Sequence, residues 1–90
     1  MFTWDEAKRQ ANLAKHGVDF TEAERFDFDQ AVSAKDNRHD YGEDRLVAIA
    51  PIGDRLHVMT YTERGSTIRI INLRKANRRE MLRWLNTKSG

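Results

Sequence analysis

The sequence predicts an α+β domain, with helices packed on an antiparallel β-sheet of three to four strands. Two observations carry this prediction. Apolar residues recur at helical spacing near both ends of the chain, whereas residues 45–74 hold three runs rich in Val, Ile, Leu and Thr. The turns between these runs are too short for the crossovers that parallel strands need. At 90 residues, the chain is expected to form a single domain, residues 1–90.

The first helix is predicted by a capping box, with Thr3 as the N-cap and Glu6 three residues later. Lys15 and His16 favour the negative end of the helix dipole. Gly17 can adopt the left-handed conformation that ends a helix. The helix is therefore expected to end near residue 17.

The middle of the chain is more polar. A second capping box, Thr21 to Glu24, predicts a short second helix ending near Phe26. Residues 31–34 are compatible with a short strand. Residues 35–44 are charged and turn-prone, which predicts a mobile loop.

Three strands are then expected in antiparallel order. Residues 45–52 and 56–62 are joined by Gly53-Asp54, a typical hairpin signal. A second turn at residues 63–66 leads to a third strand, Thr67 to Arg74. These strands form a meander.

A final helix is predicted from Asn77, which has Glu80 three residues later. Met81, Trp84 and Leu85 form its expected apolar side. The chain therefore has two predicted N-terminal helices and one C-terminal helix.

Charge is unevenly distributed under the net charge of +2. Residues 64–90 hold eight Lys and Arg and one acid, whereas residues 1–63 hold eight Lys and Arg and thirteen acids. Arginine forks match phosphate oxygens bidentately, so the basic segment favours contact with nucleic acid. A solvated basic edge is the alternative interpretation of these charges. Strict alternation places Arg69 and Arg74 on opposite faces of the third strand, unless a bulge or the sheet twist re-aims it.

Two residues are candidates for a general base. Glu63 ends a strand beside Arg64, where it could act next to a phosphate clamp, although a polar hairpin tip has the same pattern. His16 could also act as a base, or serve only as a cation at the helix end. The three histidines show no metal-ligand spacing, and no cofactor or metal is expected.

The absence of cysteine fits a reducing cytoplasm. No segment is apolar enough to predict a membrane span, and the N-terminus does not read as a signal peptide. The chain is expected to be soluble and cytoplasmic.

With these residues identified, the chain resembles the BrnT family of type II toxins. Three motifs carry the resemblance. The N-terminal motif comprises Trp4-Asp5, Lys8, Asn12 and residues 15–18, and the middle motif is residues 42–45. The C-terminal motif comprises residues 61–64, 69–71 and 74–76. The chain departs from the usual family pattern at Asn72-Leu73 and at Trp84.

This resemblance implies a RelE-like fold and a ribonuclease that inhibits translation. It also implies neutralisation by a ribbon-helix-helix antitoxin, in a two-plus-two complex whose antitoxin dimer binds operator DNA. Metal-free cleavage requires a base for the ribose 2′-hydroxyl and cations for the phosphate charge. The expected catalytic residues are Glu63, Arg64, Arg69, Arg74 and His16, and the expected RNA-binding residues are Lys15, Lys75, Arg78, Arg79 and Arg83. A non-catalytic module that binds nucleic acid or a partner protein is the alternative.

Overall fold

The structure, a computed structural model, describes residues 1–36 and 42–89. These residues form a mixed β-sheet with a helix packed on each side. Its strands are β1 (Phe2–Thr3), β2 (Val32–Asp36), β3 (Arg45–Ile52), β4 (Arg55–Arg64) and β5 (Thr67–Lys75). Their spatial order is β1-β5-β4-β3-β2. The α+β class is confirmed. The predicted wholly antiparallel sheet of three to four strands is wrong, because β1 adds a fifth strand parallel to β5.

The first helix, α1 (Glu6–His16), is capped by Asp5. The Asp5 Oδ1 atom accepts hydrogen bonds from the backbone N–H groups of Ala7 (2.8 Å) and Lys8 (3.3 Å). The predicted Thr3 cap is wrong, because Thr3 is committed to β1 and carboxylates cap helices as well as hydroxyls do. The predicted end is confirmed, since Gly17 lies in the left-handed region at φ 72°.

The predicted second helix is a 3₁₀-helix over Phe20–Arg25, capped by Asp19 rather than Thr21. A second 3₁₀ segment covers Phe28–Gln30. The predicted short strand is present as β2 and extends into the expected loop. Residues 37–41 of that loop, His39 included, lie outside the described residues.

The C-terminal helix, α2 (Arg78–Ser89), begins with the predicted capping box. The backbone N–H of Glu80 donates to the Asn77 side chain, and the backbone N–H of Asn77 donates to the Glu80 carboxylate, both at 2.9 Å. Met81 and Trp84 pack towards the sheet. Leu85 does not, contrary to prediction, and is 52% exposed.

The two faces of the sheet bury different clusters, which we name the α1 face and the α2 face after the helices that cover them. The α1 face carries the larger core, with Met59, Tyr61, Ile70 and Leu73 packed against Phe20. The α2 face carries a smaller cluster: Ile49, Val58 and Ala76, with Val47, Leu56, Met81 and Trp84 against it. Because α2 covers only part of its face, the remainder is available to polar side chains.

The buried side chain of Asn12 attaches α1 to the edge of β5. Its amide nitrogen donates to the carbonyl of Leu73 at 2.7 Å and to that of Val18 at 3.0 Å. Its amide oxygen accepts from the Leu73 backbone N–H at 3.2 Å. The side chain thus substitutes for a neighbouring strand where the short β1 does not reach, and it fixes the end of α1 beside β5.

Replacing Asn12 should therefore be costly. We expect Asn12→Leu to lower the free energy of unfolding by about 2 kcal/mol or more, because buried backbone groups lose their partners. Urea denaturation measures this difference. Asn86→Leu, at an exposed position of α2, should change it by less than about 0.5 kcal/mol. Equal effects of the two substitutions would contradict the anchoring role.

Candidate active site

A β-bulge interrupts the regular alternation of β5. Thr60 of β4 pairs with Asn72, but the next residue, Tyr61, pairs with Ile70. Ile71 is therefore an extra residue on β5 with no partner across the ladder. A bulge of this kind shifts the facing of every side chain that follows it.

The bulge places Arg69 and Arg74 on the same face of the sheet. Arg69 is opposite Thr62, and Arg74 is opposite Val58. Thr62 and Val58 are four residues apart on β4, so both face the α2 side. Strict alternation would have put the two arginines on opposite faces, but the exception stated for a bulge applies here, because alternation does not hold across it. The row formed by Arg69 and Thr62 and the row formed by Arg74 and Val58 are four positions apart along β4, which is about 13 Å.

Arg74 is held by a carboxylate on α2. Its two terminal nitrogens each donate to one oxygen of Glu80, both at 2.8 Å, in a bidentate ion pair. The hydrogen bonds from Arg74 hold the pKa of Glu80 below its usual range. Sequence reasoning used Glu80 only as a helix cap and missed this pair. The indication of this ion pair in the sequence is that Glu80 is the only acidic residue after residue 63.

Arg64 lies on the α2 face at the end of β4, and it too has a carboxylate partner. Its terminal nitrogen lies 3.0 Å from Oε1 of Glu43 in an exposed ion pair. The hydrogen bonds from Arg64 lower the pKa of Glu43, and the charges of Arg45 and Arg69 lower it further. Three guanidinium groups therefore surround one carboxylate.

Glu63 is not brought to the same face as these arginines. It pairs with Ile68, whose side chain belongs to the α1-face core, so Glu63 faces away from Arg69 and Arg74. It borders a crevice of about 350 Å³ with Glu43 and other residues near the start of β3.

His16 lies instead beside the edge of β5. It lines a cleft of about 280 Å³ between α1 and the bulge, together with Lys8, Ala11, Asn12, Lys15, Ile71 and Asn72. Partial burial lowers the pKa of His16, and the nearby charges of Lys15 and Arg74 lower it further. The imidazole is therefore neutral at pH 7 and able to accept a proton.

The remaining predicted cations are spread over a wider surface. Lys15 borders the cleft. Lys75 lies opposite His57 in the β4–β5 ladder, so its side chain is on the α1 face of the sheet. The arginines of α2 line a separate open groove of about 680 Å³ on the outer side of the helix: Arg78, Arg79 and Arg83, with Leu82, Asn86 and Thr87. They do not converge on His16.

Two features are absent from residues 1–36 and 42–89. Within these ranges, no three or more His, Cys, Asp and Glu side chains are grouped so as to hold a metal ion. None of the helices there has the length and apolarity needed to cross a bilayer.

Comparison with known proteins identifies a family. The family model for BrnT, the ribonuclease toxin of type II toxin-antitoxin systems, matches residues 4–80. The resemblance inferred from the motifs is thereby confirmed. No curated protein matches the chain significantly.

The environment of His16 predicts how it titrates. We expect its NMR titration midpoint below 6.5, because burial and neighbouring cations disfavour the charged ring. Lys15→Gln should raise the midpoint, since it removes one of those cations. Lys88→Gln, at an exposed position near the end of α2, is the matched control and should leave it unchanged. A midpoint at or above 6.5 in the wild-type protein would contradict the assigned environment.

Proposed function

The chain belongs to the BrnT family of ribonuclease toxins of type II toxin-antitoxin systems, and we propose that it cleaves RNA without a metal ion where the end of α1 meets the edge of β5. The observation that carries this proposal is the cleft at the edge of β5, which His16 lines together with Lys15. The charge of Arg74 acts on His16, and Glu80 holds the Arg74 fork in one orientation.

The proposed chemistry uses the RNA's own 2′-hydroxyl as nucleophile. His16 accepts the hydroxyl proton while the 2′-oxygen forms a bond to the adjacent phosphorus atom. Negative charge then grows on the phosphate oxygens, and the Arg74 guanidinium and the Lys15 ammonium stabilise it. The bond from phosphorus to the 5′-oxygen breaks, that oxygen takes up a proton from solvent water, and the His16 imidazolium then returns its proton to water. The products are a 2′,3′-cyclic phosphate and a 5′-hydroxyl end, and DNA is not cleaved because it lacks the nucleophile.

His16 is a better candidate for the base than Glu63. Glu63 faces away from Arg69 and Arg74, so a phosphate bound by these arginines is out of its reach. The side chains near His16 are mainly cationic and amide groups, which would repel or only weakly bind a divalent cation. This favours catalysis by charge and proton transfer without metal.

The other basic residues extend the RNA-binding surface. Arg64 and Arg69 share the α2 face with Arg74, and they contact backbone phosphates away from the scissile bond. Lys75 and the three α2 arginines contribute long-range attraction that should weaken as salt rises.

A toxin of this class is held inactive by an antitoxin, and the family match implies such a partner. From the resemblance we further propose a ribbon-helix-helix antitoxin, a two-plus-two assembly, operator binding through the antitoxin, and inhibition of translation. The RelE-like classification of the fold also rests on that resemblance.

Cleavage of a defined RNA by the purified protein tests this proposal. We expect cleavage that persists in EDTA, 2′,3′-cyclic phosphate products, and no cleavage where the attacking 2′-hydroxyl is replaced by hydrogen. His16→Gln and Arg74→Ala should each lower the rate by about 10²–10³-fold, because each removes one preorganised group.

Arg25→Ala is the matched control, since Arg25 pairs with Glu22 on the distant 3₁₀-helix and should leave the rate unchanged. Glu63→Gln separates the two candidate bases: a loss as large as that of His16→Gln would assign the base to Glu63 instead. Salt-sensitive binding of RNA that remains intact would favour the non-catalytic module.

A further inference from the structure

A second site on the α2 face is built to receive an anion. Arg64 and Arg69 lie on this face, and Arg45 joins them because it precedes Leu46, which packs in the α1-face core. All three act on the carboxylate of Glu43. Guanidinium groups converging from three strands form a binding geometry for a compact oxyanion.

The Thr62 hydroxyl lies in the middle of this cluster and is buried without a hydrogen bond. Thr62 is 1% exposed, it is opposite Arg69, and it is two residues before Arg64 on the same face. Its Oγ1 atom has no hydrogen-bond partner among residues 1–36 and 42–89. A buried polar atom left unsatisfied costs stability, so each such atom calls for an explanation, and a bound ligand is one.

We propose that this cluster is a second phosphate subsite, in which Thr62, Arg64 and Arg69 bind a phosphate of the RNA backbone and Glu43 occupies the place of that phosphate in the free protein. This proposal depends on the proposed function in one respect only, namely that RNA supplies the phosphate. The Arg69 and Arg74 rows are about 13 Å apart along the sheet, so this phosphate is not the scissile one.

The two carboxylate pairs differ in a way that suits these roles. The Arg74–Glu80 pair is partly buried and bidentate, so we expect it to keep its geometry when RNA binds. The Arg64–Glu43 pair is exposed, with side-chain exposures of 55% and 43%, and exposed pairs are weak. A phosphate that also bonds to Arg69 and Thr62 can therefore displace Glu43.

Titration with inorganic phosphate tests the subsite in the absence of RNA. Glu43→Gln removes the internal competitor, so it should bind phosphate at least about fivefold more tightly than the wild-type protein. Asp44→Asn is the matched control. This substitution makes the same change in net charge at the next residue, but the Asp44 carboxylate lies 3.4 Å from the Lys35 ammonium. It should therefore change the phosphate affinity by less than about twofold.

Thr62→Val separates a ligand-binding hydroxyl from a structural one. In the Glu43→Gln background it should abolish the gain in phosphate affinity, while the thermal stability of the free protein stays equal or rises. Thr60→Val, on the same face one row away, should leave the affinity unchanged.

Equal phosphate affinity in Glu43→Gln and the wild-type protein would overturn the subsite. So would a Thr62→Val variant that loses stability but keeps its affinity, because the hydroxyl would then be structural. Either result leaves cleavage at His16 and Arg74 untouched. Conversely, a wild-type protein that fails to cleave RNA while Glu43→Gln binds phosphate would overturn the proposed function and not the subsite.

Discussion

A single extra residue in β5 determines both the core and the candidate site. Ile70 and Leu73 are both fully buried in the α1-face core, although they are three positions apart and strict alternation would place them on opposite faces. The bulge at Ile71 resolves this conflict. The same displacement brings Arg69 and Arg74 together on the other face. Burial of apolar side chains on one face therefore fixes the position of the cations on the opposite one.

The edge beyond the bulge is closed by a side chain rather than by a strand. Asn12 bonds to both backbone groups of Leu73, so α1 cannot shift along β5 without breaking buried hydrogen bonds. His16 lies one helical turn after Asn12 and is therefore held beside the bulge. In this way the anchoring of the helix and the position of the candidate base have one physical cause.

The carboxylates explain how a strongly basic surface remains ordered in the free protein. Glu80 and Glu43 each neutralise one arginine, which limits repulsion among the cations and orients the forks. Glu80 follows Asn77 on a regular helix and is fixed by the capping box. Glu43 precedes β3 in an exposed position. A partly buried and an exposed carboxylate partner thus occur on the same face of the sheet.

Local signals in the sequence were sufficient for most of the elements. Gly17 and the Asn77–Glu80 box end and begin helices through contacts within one turn, so short motifs predict them. Neither Gly nor Pro marks the bulge, because Ile71 lies between Ile70 and Asn72. Its available signal was the broken alternation of Ile70 and Leu73. The short strand β1 and the carboxylate partners depend on contacts distant in sequence, and no local pattern specifies them.

The most direct test of this account is a titration of the protein with a 2′-O-methyl RNA, which binds but cannot be cleaved, followed through the arginine Nε–Hε NMR signals. We expect the signals of Arg69 and Arg74 both to shift with the same saturation curve, while that of Arg25 does not shift. A shift of only one of the two would mean that the bulge does not present them to one RNA strand, and would contradict the single-face site.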